Sequence, residues 1–157
     1  MHSLSLRRFA GIALTSLALA TAACGGDDGG PSGPSAPAPA DVSGTYALTG
    51  LRTLGNLSGG GNGLPVTFKD GSGTALTFKS GHLTLSSNGS YELEVEAVFK
   101  GSAVTMDDQG AYHVTGKSIA FTPTGSPARM KDGSISGSSM TAKTQFGGIP
   151  FEIDLQK

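Results

Sequence analysis

The sequence contains one cysteine, no tryptophan and few charged side chains, and the shortages of cysteine and of charge each exclude a class of protein. A single cysteine cannot form an intramolecular disulfide or a metal site built from several thiolates. Charged residues make up 15% of the chain and the formal net charge is −1, so the basic surface needed for nucleic-acid binding is lacking. Glycine, in contrast, occurs 25 times, which is typical of strands joined by tight turns.

Histidines and paired carboxylates are too sparse to predict catalytic or metal chemistry. His82 and His113 are both expected on the outer face of the folded region, His82 opposite Glu94. Glu92, Glu94 and Glu96 form an acidic row, but calcium would need further oxygen ligands around it. We therefore expect no enzymatic activity, no metal ion and no cofactor.

The first residues have the pattern of a bacterial export signal. Arg7 and Arg8 supply positive charge, and the apolar stretch 9–20 is too short for an ordinary membrane span. The arginine pair is compatible with twin-arginine export as well as with the general secretory route. The pattern predicts a signal peptide over residues 1–23.

The single cysteine of the chain directly follows this segment. Thr21-Ala22-Ala23-Cys24 resembles a bacterial lipobox, in which small residues precede a cysteine that becomes acylated. The resemblance implies that Cys24 is the lipidated N-terminus of a mature lipoprotein and anchors it in a membrane. By resemblance to the sorting pattern of Gram-negative lipoproteins, Gly25 carries no inner-membrane retention signal, which favours the outer membrane of the cell envelope, on its periplasmic face or at the cell surface, over the inner membrane. The alternative is an ordinary signal peptide cleaved before an unmodified thiol.

Residues 24–41 form the next segment. After the cysteine they are only Gly, Asp, Pro, Ser and Ala, which cannot bury apolar surface. The segment is therefore predicted to be a disordered tether, with a semi-extended part where prolines alternate with small residues. A single folded domain is expected over residues 42–157.

Apolar and polar residues alternate with a period of two through this domain. In 91–97, for example, the apolar side chains face one way and three glutamates face the other. One-sided alternation is typical of antiparallel strands that cover a core. The predicted strands are 43–51, 63–69, 74–86, 89–100, 103–115, 118–123, 133–136, 139–146 and 149–156.

Glycines between these strands predict hairpin turns. Glycine at the first central position favours a two-residue turn of type II′. The predicted turns are 101–102, 116–117, 137–138 and 147–148, with a three-residue loop at 87–89. The first turn would place Ala97 opposite Met106. An open meander would leave two long edges, so we predict an all-β, up-and-down antiparallel barrel of about eight or nine strands.

Several of these segments resemble small bacterial lipocalin-like domains, over most of residues 42–157. Gly44-Thr45-Tyr46 stands where lipocalins have Gly-x-Trp, and 80–91 and 108–121 are similar to two hairpins of the family. The resemblance implies a barrel that can enclose an apolar cavity.

Small inward residues beside large ones suggest such a cavity, holding a small hydrophobic ligand. Asp108 is predicted to point inward opposite Val95, where a carboxylate needs a partner, a place at the barrel mouth or a raised pKa. Arg129, in the long connection 123–133, is expected to serve solubility. The candidate ligand-binding residues are Tyr46, Phe68, Ala97, Asp108, Gly110, Tyr112, Ala142 and Phe151.

The alternative function is a barrel filled by its own side chains. Such a barrel would act as a protein-interaction, inhibitor or structural module of the envelope. In both cases we expect a monomer that contacts the membrane through its lipid anchor and does not bind nucleic acid.

Overall fold

The computed structural model describes residues 41–125 and 129–157. The predicted signal peptide, Cys24 and the tether up to residue 40 lie outside these residues. Within them every regular element is a β-strand, and no helix is long and apolar enough to cross a membrane. The strands are β1 (Gly44–Thr53), β2 (Ser58–Gly59), β3 (Gly61–Asn62), β4 (Val66–Lys69), β5 (Ala75–Leu85), β6 (Ser90–Phe99), β7 (Ser102–Thr115), β8 (Ser118–Pro123), β9 (Asp132–Ser136), β10 (Ser139–Phe146) and β11 (Ile149–Gln156).

Eight of these strands close into an antiparallel barrel. From β5 to β11 each strand pairs with the next one along the chain. β1 closes the ring, because it pairs with β11 on one side and with β5 on the other. The predicted up-and-down meander closed into a barrel is confirmed.

Short strands complete the wall between β1 and β5. β1 reaches only the last part of β5, and β4 pairs with the first part of β5 instead. The segment 58–62 bridges the two, because β2 pairs with β4 and β3 pairs with β1. These two short strands were not predicted, because glycine-rich segments have little intrinsic β-propensity.

Three of the four predicted two-residue turns have the predicted register. Gly116 and Gly137 have positive φ at the first central position, as a type II′ turn requires. Both central glycines at 147–148 have positive φ, so this turn is of type I′. The loop at 87–89 also has the predicted register. The confirmed facing pairs are Val114 with Ile119, Ile135 with Met140, Phe146 with Ile149, and Leu85 with Tyr91.

The turn between β6 and β7 lies one residue earlier than predicted, at Lys100-Gly101. Both residues have positive φ, 51° and 81°, which is the conformation of a type I′ turn. Ala97 consequently faces Val104, and the predicted pairing with Met106 is wrong. A turn that moves by one residue changes the pairing by two, so every side chain keeps its predicted face and alternation alone could not reveal the difference.

The inward side chains fill the barrel. Phe68, Phe78, Phe146 and Phe151 meet in its interior, with ring centroids 5.2–5.9 Å apart in edge-on or tilted pairs. All four are buried. These geometries are the favourable ones for aromatic rings and add to the stabilisation from burial.

This filled core predicts a large effect of truncating one of its rings. Phe151→Ala will lower the free energy of unfolding by about 3–5 kcal/mol, because it removes a buried ring and leaves a cavity. Chemical denaturation followed by circular dichroism measures the loss. Phe99→Ala is the matched control, since Phe99 is 43% exposed. Equal losses at the two positions would contradict a side-chain-filled interior.

Candidate functional site

The barrel wall is interrupted between β7 and β10. β8 pairs with β7 only from Gly110 onward, and β9 pairs with β10 only as far as Ala142. Within the described residues, the first half of β7 and the last half of β10 therefore lack the neighbours that would complete the ladder. The described ends of the connection between β8 and β9, residues 124–125 and 129–131, lie beside these two strand halves.

The described residues of this connection, 124–125 and 129–131, are here called the plug segment. Backbone hydrogen bonds attach both of its ends. The Thr124 N–H donates to Gln109 O at 2.9 Å, and the Lys131 N–H donates to Lys143 O at 3.0 Å. Met130 is buried among the core side chains. The plug segment thus replaces missing strand pairing with its own contacts.

Asp108 on β7 holds the plug segment from inside the barrel. The residue is 5% exposed. Its Oδ2 accepts hydrogen bonds from Tyr91 Oη at 2.9 Å, Arg129 N at 3.2 Å and Met130 N at 2.7 Å. Its Oδ1 accepts one from Gln109 N at 3.1 Å. Four donors compensate for the lost hydration of the carboxylate, so the buried Asp108 has the hydrogen-bond partners that such a group needs.

The ladder position of Asp108 differs from the prediction. It lies opposite Leu93, and the predicted position opposite Val95 is wrong. The shift follows from the earlier turn at 100–101 and equals two residues, so the carboxylate still points inward. Gly110, the next inward position, lies so close to β8 that a Cβ there would collide with the Thr122 carbonyl oxygen.

An apolar groove opens at the end of the barrel where β1 ends, and we call it the mouth groove. Its volume is about 340 Å³. Its walls come from the start of β5, the end of β6, the start of β7 and the turn between β10 and β11. The lining residues are Leu76, Phe99, Val104, Met106, Arg129, Phe146, Gly147 and Ile149.

Arg129 is the one charged residue among the described residues that line the mouth groove. Its backbone N–H is bound by Asp108, so the same carboxylate that holds the plug segment also positions this cation. Its Nη1 is buried and has no hydrogen-bond partner within the described part of the chain. An unpaired donor of a charged group is costly when it is shielded from water.

The predicted ligand-binding residues do not line this groove. Phe68 and Phe151 belong to the phenylalanine cluster, and Ala97 and Ala142 are buried on the inner face of the wall. Whether any of them contacts a ligand stays a prediction.

Tyr46 and Tyr112 lie toward the other end of the barrel, where β1 begins. Their hydroxyls donate to backbone carbonyl oxygens, Tyr46 to Val42 O and Tyr112 to Ser86 O, both at 2.8 Å. These bonds occupy the hydroxyl protons and fasten the chain at that end.

Sequence reasoning missed the groove residues for a definable reason. Phe99, Val104 and Ile149 lie next to turns, where the period of two gives the face but not the distance from the barrel end. The signal available was the persistence of apolar residues up to the turn on adjacent strands. Arg129 gave no such signal, because its position depends on Asp108, a residue that is distant in the sequence.

The remaining predictions for the surface concern His82 and possible metal ligands. His82 faces Glu94 across the β5–β6 ladder, as predicted. Within residues 41–125 and 129–157, no group of three or more His, Cys, Asp or Glu side chains is close enough to hold a metal ion.

No protein-family model matches the chain, and comparisons with curated proteins and with solved structures also gave no match. The architecture itself, a closed eight-stranded antiparallel barrel, is consistent with the lipocalin-like fold that the sequence resembles.

Removing the Asp108 carboxylate will loosen the plug segment. Asp108→Ala leaves buried O–H and N–H donors without an acceptor, at a cost of about 1–3 kcal/mol each. We therefore expect the free energy of unfolding to fall by about 3 kcal/mol or more. Amide hydrogen exchange should accelerate most at Met130. Asp107→Ala is the matched control, because Asp107 is exposed on the same strand. Equal effects of the two substitutions would show that Asp108 does not hold the segment.

The three tyrosines of the chain predict a loss of stability at alkaline pH. Burial raises the pKa of Tyr91, Tyr46 and Tyr112, and the Asp108 carboxylate raises that of Tyr91 further. Raised pKa values in the folded state mean that their contribution is intact below about pH 10, the ordinary tyrosine value, and is lost above it.

Phenolate absorbance, uncomplicated by tryptophan, and denaturation curves across this pH range measure the effect. Tyr91→Phe should remove the largest part of it. Folded-state titration of all three tyrosines at the ordinary value would contradict the expectation.

Proposed function

We propose that this chain is a lipid-anchored protein of the bacterial cell envelope that binds a small hydrophobic ligand in the mouth groove. The observation that carries the proposal is the groove. Its volume of about 340 Å³ and its apolar lining fall within the range of small-molecule sites, about 300–1,000 Å³. The barrel interior is filled by phenylalanine rings, which favours the mouth over the interior as the binding place.

Exposed apolar surface supports this location. Phe99 lines the groove and is 43% exposed, so part of its apolar surface is accessible to a ligand. A ligand that covers such side chains gains about 25 cal/mol for each Å² of apolar surface removed from water.

The anchor is supported by the sequence around Cys24, the single cysteine of the chain, which directly follows the predicted signal peptide. A lipidated Cys24 would hold the domain at a membrane. The described chain enters the barrel at the end remote from the mouth groove, where Gly44 pairs with Leu85.

A protein-docking role is the second candidate. Leu54, which is 52% exposed, lies at the same end of the barrel as Phe99, and its N–H is bonded to Pro150 O at 2.9 Å. Two large exposed apolar side chains at one barrel end are also what a protein partner would cover.

Mass spectrometry of the protein extracted from its native membrane tests the proposal. We expect an acylated Cys24 peptide and a co-purifying small apolar molecule. Cys24→Ser should release the protein from the membrane. Val104→Trp, which fills the groove, should lose the small molecule, whereas the matched control Thr105→Trp, on the exposed face of the same strand, should keep it.

An unmodified Cys24 thiol in the membrane-extracted protein would overturn the anchor. A protein that co-purifies in place of a small molecule, and is displaced by Val104→Trp, would favour the docking role.

A further inference from the structure

We propose that the ligand of the mouth groove is a single-chain amphiphile with a carboxylate head, and that Arg129 binds this head. The inference rests on the proposed function, because it specifies the chemistry of the ligand in the same groove. In this arrangement the alkyl chain of the ligand contacts the apolar wall, and its carboxylate contacts Arg129 of the plug segment.

The first argument is the unsatisfied guanidinium. Arg129 is half-buried and lines the groove, while its Nη1 is shut away from water without a partner in the described residues. Arginine stays charged at every pH the protein meets, so this cost cannot be relieved by losing a proton. An acceptor that arrives through the groove relieves it.

The second argument is that the neighbouring carboxylate is already used. Both oxygens of Asp108 accept hydrogen bonds, and the donor that Arg129 contributes is its backbone N–H. The ion pairs among the described residues involve Arg52 and Lys143. The Arg129 side chain is therefore positioned by Asp108 without being neutralised by a contact to it.

The third argument combines the charge with its surroundings. Leu76, Phe99, Val104, Met106 and Ile149 offer an apolar wall around the single cation. A wholly apolar ligand would cover this wall but leave the guanidinium unpaired, and a small inorganic anion would do the reverse. A carboxylate accepts two hydrogen bonds from a guanidinium in a planar arrangement, and its alkyl chain covers the wall.

The size of the groove limits the ligand to one short chain. About 340 Å³ lies near the lower end of the range for small-molecule sites. The groove is also open at the mouth, so the end of the alkyl chain can project into solvent.

Calorimetric titration with decanoate and with decanol tests the inference. The protein carries Cys24→Ser, so that no acyl group of its own competes for the groove. We expect decanoate to bind about 10- to 100-fold more tightly than decanol, the effect of one charge-assisted hydrogen-bonded contact. Arg129→Gln should abolish this preference, while Arg129→Lys should keep part of it.

Lys131→Gln is the matched control, because it removes an exposed positive charge two residues away. Circular dichroism verifies that each variant is folded. If decanoate and decanol bind equally and Arg129→Gln changes neither, the head-group assignment fails while the proposed function stands. If neither compound binds, both fail. A loss of decanoate binding in Lys131→Gln equal to that in Arg129→Gln would show diffuse charge attraction and overturn the assignment.

Discussion

A buried carboxylate joins the strand framework of this barrel to the one stretch of wall that strands do not complete. β8 and β9 are too short to cover the first half of β7 and the last half of β10. The plug segment fills that space because Asp108 accepts hydrogen bonds from two of its backbone N–H groups and from Tyr91. Without such acceptors the polar backbone would be buried at a cost of several kcal/mol, and the wall could not close there.

The same arrangement explains why the binding proposal concerns the mouth and not the interior. Phenylalanines from β4, β5, β10 and β11 occupy the centre of the barrel, and the small inward residues Ala97 and Ala142 are buried as well. The mouth groove adjoins the first half of β7, through Val104 and Met106, and Arg129 of the plug segment. Arg129 reaches that opening because its backbone is fixed to Asp108, so one acidic residue sets both the closure of the wall and the place of the cation.

The sequence predicted the features that rest on local interactions, and it did not predict those that rest on contacts between distant parts of the chain. The turns at 116–117 and 137–138 were predictable, because glycine at the first central position and the pairing of inward residues specify the same register. At β6–β7 two registers keep every side chain on its face, and the observed one places Lys100 in a left-handed conformation that composition does not signal. For the candidate site, the inward direction of Asp108 followed from alternation, whereas its donors at residues 129 and 130 come from a connection with no periodic pattern.

By itself the sequence determined the order of the eight barrel strands, the inward or outward face of their side chains and the closure of the meander, because these depend on a local period of two and on the removal of unpaired edges. The sequence around Cys24 likewise carries the whole case for an anchor, since processing signals are linear. Only the tertiary structure decided that the interior is filled, that a groove lies at the mouth, and that Arg129 faces it. Those features depend on how side chains from strands far apart in sequence share one volume, and on a carboxylate that binds backbone groups about twenty residues away, as Asp108 does with Met130.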